Sequence, residues 1–192
     1  SMADYPAIKA PFAQAGEPYK PFERDPETYV RKWAVPGMPG CEHRVGGLEK
    51  NHNGVISSDP ANHELMCRER LEKVQRVANY IPELKVDGAE SGKLLVVGWG
   101  GTYGHILSAV QEVREAGVDV SFAHFDYIMP LPRNTREVLS KFDKILVCEL
   151  NSGHFVNYLR GLMPEFTYTQ FNKVQGQPFL VQEIVSAIKS NL

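Results

Sequence analysis

The chain has 192 residues, of which 43% are hydrophobic, 23% charged and 10% aromatic. That composition excludes collagen, coiled coil and wholesale disorder. Lys and Arg number 21 against 23 Asp and Glu, a formal net charge of -2. With no basic block, electrostatics argues against a nucleic-acid partner.

The opening residues, Ser1 to Pro6, lack the basic start and apolar core of a signal peptide. Residues 1–58 read as an irregular segment. Eight of the 13 prolines fall within the first 60 residues, and apolar periodicity is absent. Proline fixes φ and removes a donor, which disfavours helices and central strands. Yet Phe12, Tyr19, Phe22, Tyr29 and Trp33 are costly to leave in water, so the segment is expected to lie against a protein surface. Pro-Gly, Gly-Gly and Asn-Gly pairs crowd residues 36–58 as turn chemistry.

Residues 59–90 read as a connecting helix and linker. Asp59 is a good N-cap with Pro60 at the first helical position. Cys67, Leu71, Val74, Ala78 and Ile81 follow at helical spacing, and Pro82 ends the run. They predict an amphipathic helix with Cys67 buried on its apolar face.

Residues 91–192 change texture. Strands are expected at 94–97, 118–122, 145–148 and 166–169. Helices are expected at 106–117, 134–141, 155–162 and from Pro178 to Ile188. The alternation specifies an α/β fold: a three-layer α/β/α sandwich around a mainly parallel, mixed sheet. No apolar run reaches the ~18 residues of a membrane span, so no membrane partner is expected.

Ligands of such sheets bind at the carboxyl ends of strands. Three loops lie there. The first, Gly98 to Gly104, carries Gly100, Gly101, Thr102, Tyr103 and Gly104 before a helix. Its glycines either admit a phosphate or only permit a tight turn. A loosened dinucleotide fingerprint of Gly98, Gly100 and Gly104, with Asp126 past the next strand, makes a stand-alone dinucleotide-binding domain the alternative reading. The second loop brings Glu149, Asn151, Gly153 and His154 together. This set reads either as acid-base chemistry or as an ordinary helix start. The third, Phe171 to Pro178, is a weak candidate.

Cys41, His43, His52, His63 and Cys67 are residue types that zinc accepts, but their spacing fits no tight zinc template, so no metal is assigned. Three widely spaced cysteines form no disulfide framework and point to a reducing cytoplasm. Without a C-x-x-C pair, no iron–sulfur cluster is expected in this chain.

Taken in order, three groups of residues resemble one family. They are Val35-Pro36-Gly37-Met38-Pro39-Gly40, then Glu42-His43-Arg44-Val45-Gly46-Gly47-Leu48-Glu49, then Asp59-Pro60 with Asn62-His63. The match runs on through Gly98 to Gly104, Pro130-Leu131-Pro132 and Glu149-Leu150-Asn151 with Gly153. Together they resemble the alpha subunit of 2-oxoacid:ferredoxin oxidoreductases, especially the 2-oxoglutarate type. The resemblance covers most of the chain from about Pro18.

The resemblance implies a C-terminal fragment whose residues 91–192 resemble the transketolase C-terminal domain, with a five-stranded mixed sheet. It implies that the full complex converts a 2-oxoacid and coenzyme A to an acyl-CoA and carbon dioxide while reducing ferredoxin. Thiamine diphosphate, magnesium and iron–sulfur clusters would belong to that complex, with none bound by this fragment alone. Its implied partners are the beta subunit and the missing N-terminal domains, with ferredoxin and CoA met through the complex. The glycine turn and the Glu149 to His154 loop would face a neighbouring domain or subunit. Ser152 and His154 depart from the family pattern, and no catalytic residue is carried over.

Overall fold

The structure, a computed structural model, describes residues 10–192. The signal-peptide reading of Ser1 to Pro6 therefore lies outside the described residues. The chain divides into two compact units, Ser1–Val77 and Ala78–Leu192.

The second unit is built on five strands: β1 (Val86–Asp87), β2 (Gly92–Trp99), β3 (Ser121–Phe125), β4 (Phe142–Glu149) and β5 (Tyr168–Asn172). Their order in the sheet is β1-β3-β2-β4-β5. β2, β3, β4 and β5 are parallel, while β1 pairs antiparallel with β3. The mixed five-stranded sheet expected from the sequence is therefore present, and its inconspicuous fifth strand is β1. Two residues are too few to show alternation. β1 is held from outside, where Arg114 pairs with Asp87 and donates from Nε to the Val120 carbonyl at 2.8 Å.

Both faces of the central strands are covered, so they read as continuous apolar runs rather than alternating ones. Leu95, Val97, Ile145 and Val147 pack with α3 (Thr135–Leu139) and α4 (His154–Leu162). Leu94, Val96, Leu146 and Cys148 pack with α2 (Tyr103–Glu115) and α5 (Val181–Lys189) on the other face. This is the expected three-layer sandwich.

Element ends depart from expectation for local reasons. β3 starts three residues late because Gly117 and Val118 fold back on the end of α2. Their amides donate to the Arg114 and Val113 carbonyls at 2.8 and 3.2 Å. α5 starts late because Phe179 is buried in the core and Glu183 accepts from the Leu180 amide at 2.8 Å.

The first unit contains one long helix, α1 (Pro60–Arg76), among turns and isolated bridges. Asp59 caps it as predicted, accepting from the Ala61 amide at 3.0 Å with Pro60 in the first turn. The face buried within the unit is not the predicted one. Met66 and Glu69 are buried, while Cys67, Leu71 and Val74 are exposed, Leu71 by 54%. The helix is anchored instead by polar contacts. Arg24 Nε donates to Glu69 Oε2 at 2.6 Å, and His52 Nε2 lies 3.1 Å from the same carboxylate. Helical α1 also ends at Arg76, passing into a 3₁₀ turn at Val77–Asn79, so Ala78 and Ile81 do not extend its stripe.

The aromatics of the Pro-rich segment are only partly settled. Phe22 lies under the Arg31 guanidinium at 4.7 Å and Tyr29 under Arg76 at 3.6 Å. Trp33 remains 59% exposed, and Val45 86%.

Candidate functional site

The parallel strands end together at Trp99, Phe125, Glu149 and Asn172, and all three candidate loops leave from that edge. The chain leaves β2 toward β3 on one side, and returns to β4 on the other. The junction of β2 and β4 is thus the switch point of the sheet, where open α/β sheets hold their ligands.

In this chain the switch point is bridged by its own side chains. Glu149 is fully buried at the end of β4. Its Oε1 accepts from Trp99 Nε1 at 3.2 Å and from the Phe155 amide at 2.8 Å, and its Oε2 accepts from the Val156 amide at 3.0 Å. The N-terminus of α4, which otherwise attracts an anion, therefore already holds a carboxylate from within the chain. Three donors satisfy that carboxylate and explain why a buried charge is tolerated here.

The rest of this loop is also helix-start chemistry. Asn151 Oδ1 accepts from the Gly153 and His154 amides at 2.8 and 2.9 Å. Gly153 has φ +92°, and a Cβ there would meet Asn172 Nδ2 at 3.1 Å and Val156 Cγ1 at 3.2 Å. Only glycine fits that turn. His154 is exposed. Of the two readings of this loop, its contacts favour the helix start.

The glycine turn is equally local. A Cβ on Gly98 would lie 2.2 Å from Ile106 Cδ1 and 2.7 Å from Thr102 Oγ1. Gly98 thus permits close packing of β2 against α2. The Thr102 hydroxyl donates to the Trp99 carbonyl at 2.9 Å and accepts from the Trp99 amide at 3.1 Å. It winds Gly100–Thr102 into one 3₁₀ turn ahead of α2. Gly100, Gly101 and Gly104 are exposed. Tyr103 is half-exposed, its ring edge-on to His124 at 5.1 Å. Burial holds the His124 imidazole below its ordinary pKa of 6.5, with Asp126 and Gly100 opposing.

The third loop is held by Lys173, which is buried and donates to the Pro178 carbonyl at 3.0 Å and to both Glu183 carboxylate oxygens at 3.0 and 2.8 Å. Those bonds from Lys173 hold Glu183 below its usual carboxylate range. A small cavity of about 280 Å³ lies between Leu150, Lys173 and Gly176–Pro178.

The cysteines and histidines separate. Cys148 is buried in the sheet, and its thiol is pushed up to about 12 by desolvation and then by Glu149, so it is an inert core residue. Cys41 is also buried. His43 Nδ1 lies 2.9 Å from the Cys41 carbonyl, and His52 is engaged with Glu69. His63 and Cys67 do come together, and Glu49 joins them. Sequence spacing could not signal Glu49, because it comes from a turn before the helix.

These features define a three-layer α/β unit whose strand-end loops are tied by its own residues, preceded in the sequence by an irregular unit. The chain is homologous to the alpha subunits of 2-oxoacid:ferredoxin oxidoreductases. It is 43% identical over 191 residues to the 2-oxoglutarate oxidoreductase subunit KorA of Mycobacterium tuberculosis, covering 97% of this chain and 28% of that protein. It is 31% identical over 178 residues to 2-oxoacid:ferredoxin oxidoreductase 1 subunit alpha of Aeropyrum pernix, covering 89% of this chain and 27% of that one. A solved 2-oxoglutarate:ferredoxin oxidoreductase from Magnetococcus marinus, with 2-oxoglutarate, coenzyme A and succinyl-CoA bound, superposes with a TM-score of 0.88 at 26% identity. That superposition takes in 100% of this chain and 34% of the other. No family profile matches the chain. The chain thus spans just over a quarter of the curated relatives. The similarity favours the subunit reading over the alternative of a stand-alone dinucleotide-binding domain, and at Gly98 the contacts are those of a tight turn packed against Ile106.

Proposed function

We propose that this chain is the C-terminal part of the alpha subunit of a 2-oxoglutarate:ferredoxin oxidoreductase. The full complex would carry out CoA-dependent oxidative decarboxylation of the 2-oxoacid with reduction of ferredoxin. The observation that carries this reading is the 43% identity over 97% of this chain to a 2-oxoglutarate oxidoreductase subunit, joined by a structural match of TM-score 0.88 to an oxidoreductase of that class. Within the complex its role is assembly and shaping of the active-site surroundings. Residues 91–192 carry most of the transketolase C-terminal-like domain, whose sheet also takes in β1 at Val86–Asp87; 59–90 are the connecting helix and linker, and 1–58 an inter-domain segment. The glycine turn, Gly100 to Gly104, and the exposed residues of the Glu149 to His154 loop face the neighbouring domain or the beta subunit.

Support for assembly comes from apolar surface that this chain leaves open. Leu71, Val45, Leu48 and Trp33 are all more than half exposed, in a segment rich in the family's motifs. We assign these exposed side chains to that contact. Among the described residues no helix is long and apolar enough to cross a membrane. The free cysteines agree with a reducing, cytoplasmic setting.

Among the described residues, the donor sets do not fit an iron–sulfur cluster or a magnesium ion. An iron–sulfur cluster takes about four thiolates, whereas Cys41 and Cys148 are buried in different units and Cys67 stands on the surface. Among the described residues no group of carboxylates offers magnesium an all-oxygen site. We assign thiamine diphosphate, magnesium and the clusters to other parts of the complex.

An antibody raised against this chain, used on an extract of the source cells, tests the reading. A band several times larger than 21.5 kDa, co-purifying with 2-oxoglutarate- and CoA-dependent ferredoxin reduction, is expected. A native protein of this chain's own size, or a large one without that activity, overturns it. In the full complex, Thr102→Ala combined with Tyr103→Ala should weaken subunit association or turnover. Unchanged values of both would remove the glycine turn from the interface.

A further inference from the structure

Glu49, His63 and Cys67 meet on the surface of the first unit. His63 and Cys67 are four residues apart on α1, so they stand on one face one turn apart. The Cys67 Sγ lies 3.7 Å from His63 Nε2 and 3.9 Å from its Nδ1. Glu49 reaches across from the turn before the helix and places Oε2 2.5 Å from His63 Nδ1. One ligand atom from each residue lies within 4.8 Å of the others.

Arg70 completes the cluster. Its Nη1 donates to Glu49 Oε1 at 2.7 Å and its Nη2 to Cys67 Sγ at 3.1 Å. A cation thus already sits beside the sulfur and the carboxylate. It is a half-exposed side chain that can swing into solvent.

We propose that Glu49, His63 and Cys67 form a binding site for a divalent cation of the zinc class. The donor set decides the class. A thiolate sulfur, an imidazole nitrogen and a carboxylate oxygen suit a borderline ion, while magnesium and calcium seek oxygen alone. Three protein ligands leave a fourth position for water. In the metal-free chain Arg70 is the counter-ion that the metal displaces. Binding releases one proton: the Cys67 S–H bond is lost, a sulfur–metal bond forms and the proton passes to solvent. No electron is transferred. His43 and His52, which have other partners, are outside the set.

The test titrates the reduced 192-residue chain with cobalt(II), then displaces it with zinc(II). One equivalent should bind, with a sulfur-to-cobalt charge-transfer band and the visible bands of a four-coordinate ion. Cys67→Ser should abolish the charge-transfer band. His63→Gln and Glu49→Gln should weaken binding by at least the ~10–100-fold that loss of an outer-shell partner already costs. Arg70→Gln should strengthen it, because the competing cation is gone. Zinc should also protect Cys67 of the unaltered chain from alkylation, and Cys41 and Cys148 are buried and do not compete for the reagent. Absence of the charge-transfer band, undiminished zinc binding by Cys67→Ser, or alkylation unaffected by zinc would overturn the site. None of these readouts depends on the oxidoreductase reading.

Discussion

The two units of this chain solve the problem of burial differently. The second closes both faces of its sheet with helices and leaves Leu95, Val97, Ile106, Ile145 and Leu159 without any exposure. Among its described residues the first has one α-helix, whose anchor is the Arg24–Glu69–His52 cluster rather than its apolar stripe. The lesson is that apolar periodicity reports which face a helix would bury, not whether the cover is present in the same chain.

The contrast is measurable, because each unit holds one of the two tryptophans, Trp33 and Trp99. Trp33→Phe leaves a reporter of the second unit and Trp99→Phe a reporter of the first. Urea unfolding of the pair should give two midpoints, the second unit's being higher. The largest mutational effect belongs there. Ile145→Ala opens a cavity in a closed core and should cost about 2–5 kcal/mol by the Trp99 signal, with the Trp33 midpoint unmoved. Coincident shifts at both reporters would show one cooperative body and break the comparison.

Next in size is Glu149→Gln. The amide keeps the shape, but places an N–H where one of three donors now points, and removes the charge opposite the α4 N-terminus. A loss of about 1–3 kcal/mol is expected from a buried donor left unsatisfied, read as a lower urea midpoint of the second unit. Gly98→Ala should fall in the same range, because its Cβ would press on Ile106 and Thr102, and overpacking of this kind costs about 1–3 kcal/mol. An unchanged midpoint for Glu149→Gln would mean that the carboxylate is not the cap of α4.

How much of this was legible in the sequence follows the same division. The parallel strands and the helices of the second unit were readable because each carries its own period and its own stops. β1 was not, because two residues have no period, and Arg114 that holds them lies 27 residues on. At the ligand edge the sequence offered Glu149 as acid-base catalyst or as helix partner. Only the fold, by setting Trp99 and the α4 amides around it, separates these. The apolar face of α1 is legible as a stripe but its exposure is not, since burial depends on a neighbour that spacing cannot supply. The grouping of Glu49 with His63 and Cys67 depends on a turn that brings Glu49 to the helix, and that also leaves no trace in spacing.

A smaller effect is expected from pH. His124 has its folded pKa held below 6.5 by burial, so the unfolded chain takes up a proton that the folded chain resists. Its contribution is present above about pH 6.5 and is lost as the pH falls through the folded value. Stability of the second unit should decline on acidification from neutrality, and His124→Gln should flatten that slope. Equal slopes in the variant and the parent would assign the decline to other groups.

The smallest effect in isolation is expected at Leu71, and it bears most on the comparison. Its side chain is more than half exposed on α1, so Leu71→Ser removes little buried area and should change the first unit's stability by no more than about 0.5 kcal/mol. If the stripe is the surface that meets the rest of an oxidoreductase, the same change in the full subunit places a hydroxyl in an apolar contact. It should then reduce recovery of the assembled complex on gel filtration while leaving the isolated chain intact. Equal assembly of the variant and the parent would leave the exposed stripe without an assembly role. A large loss of stability in the isolated chain would instead show that α1 buries Leu71 within its own unit in solution, and the two units would then differ only in their proportion of loops.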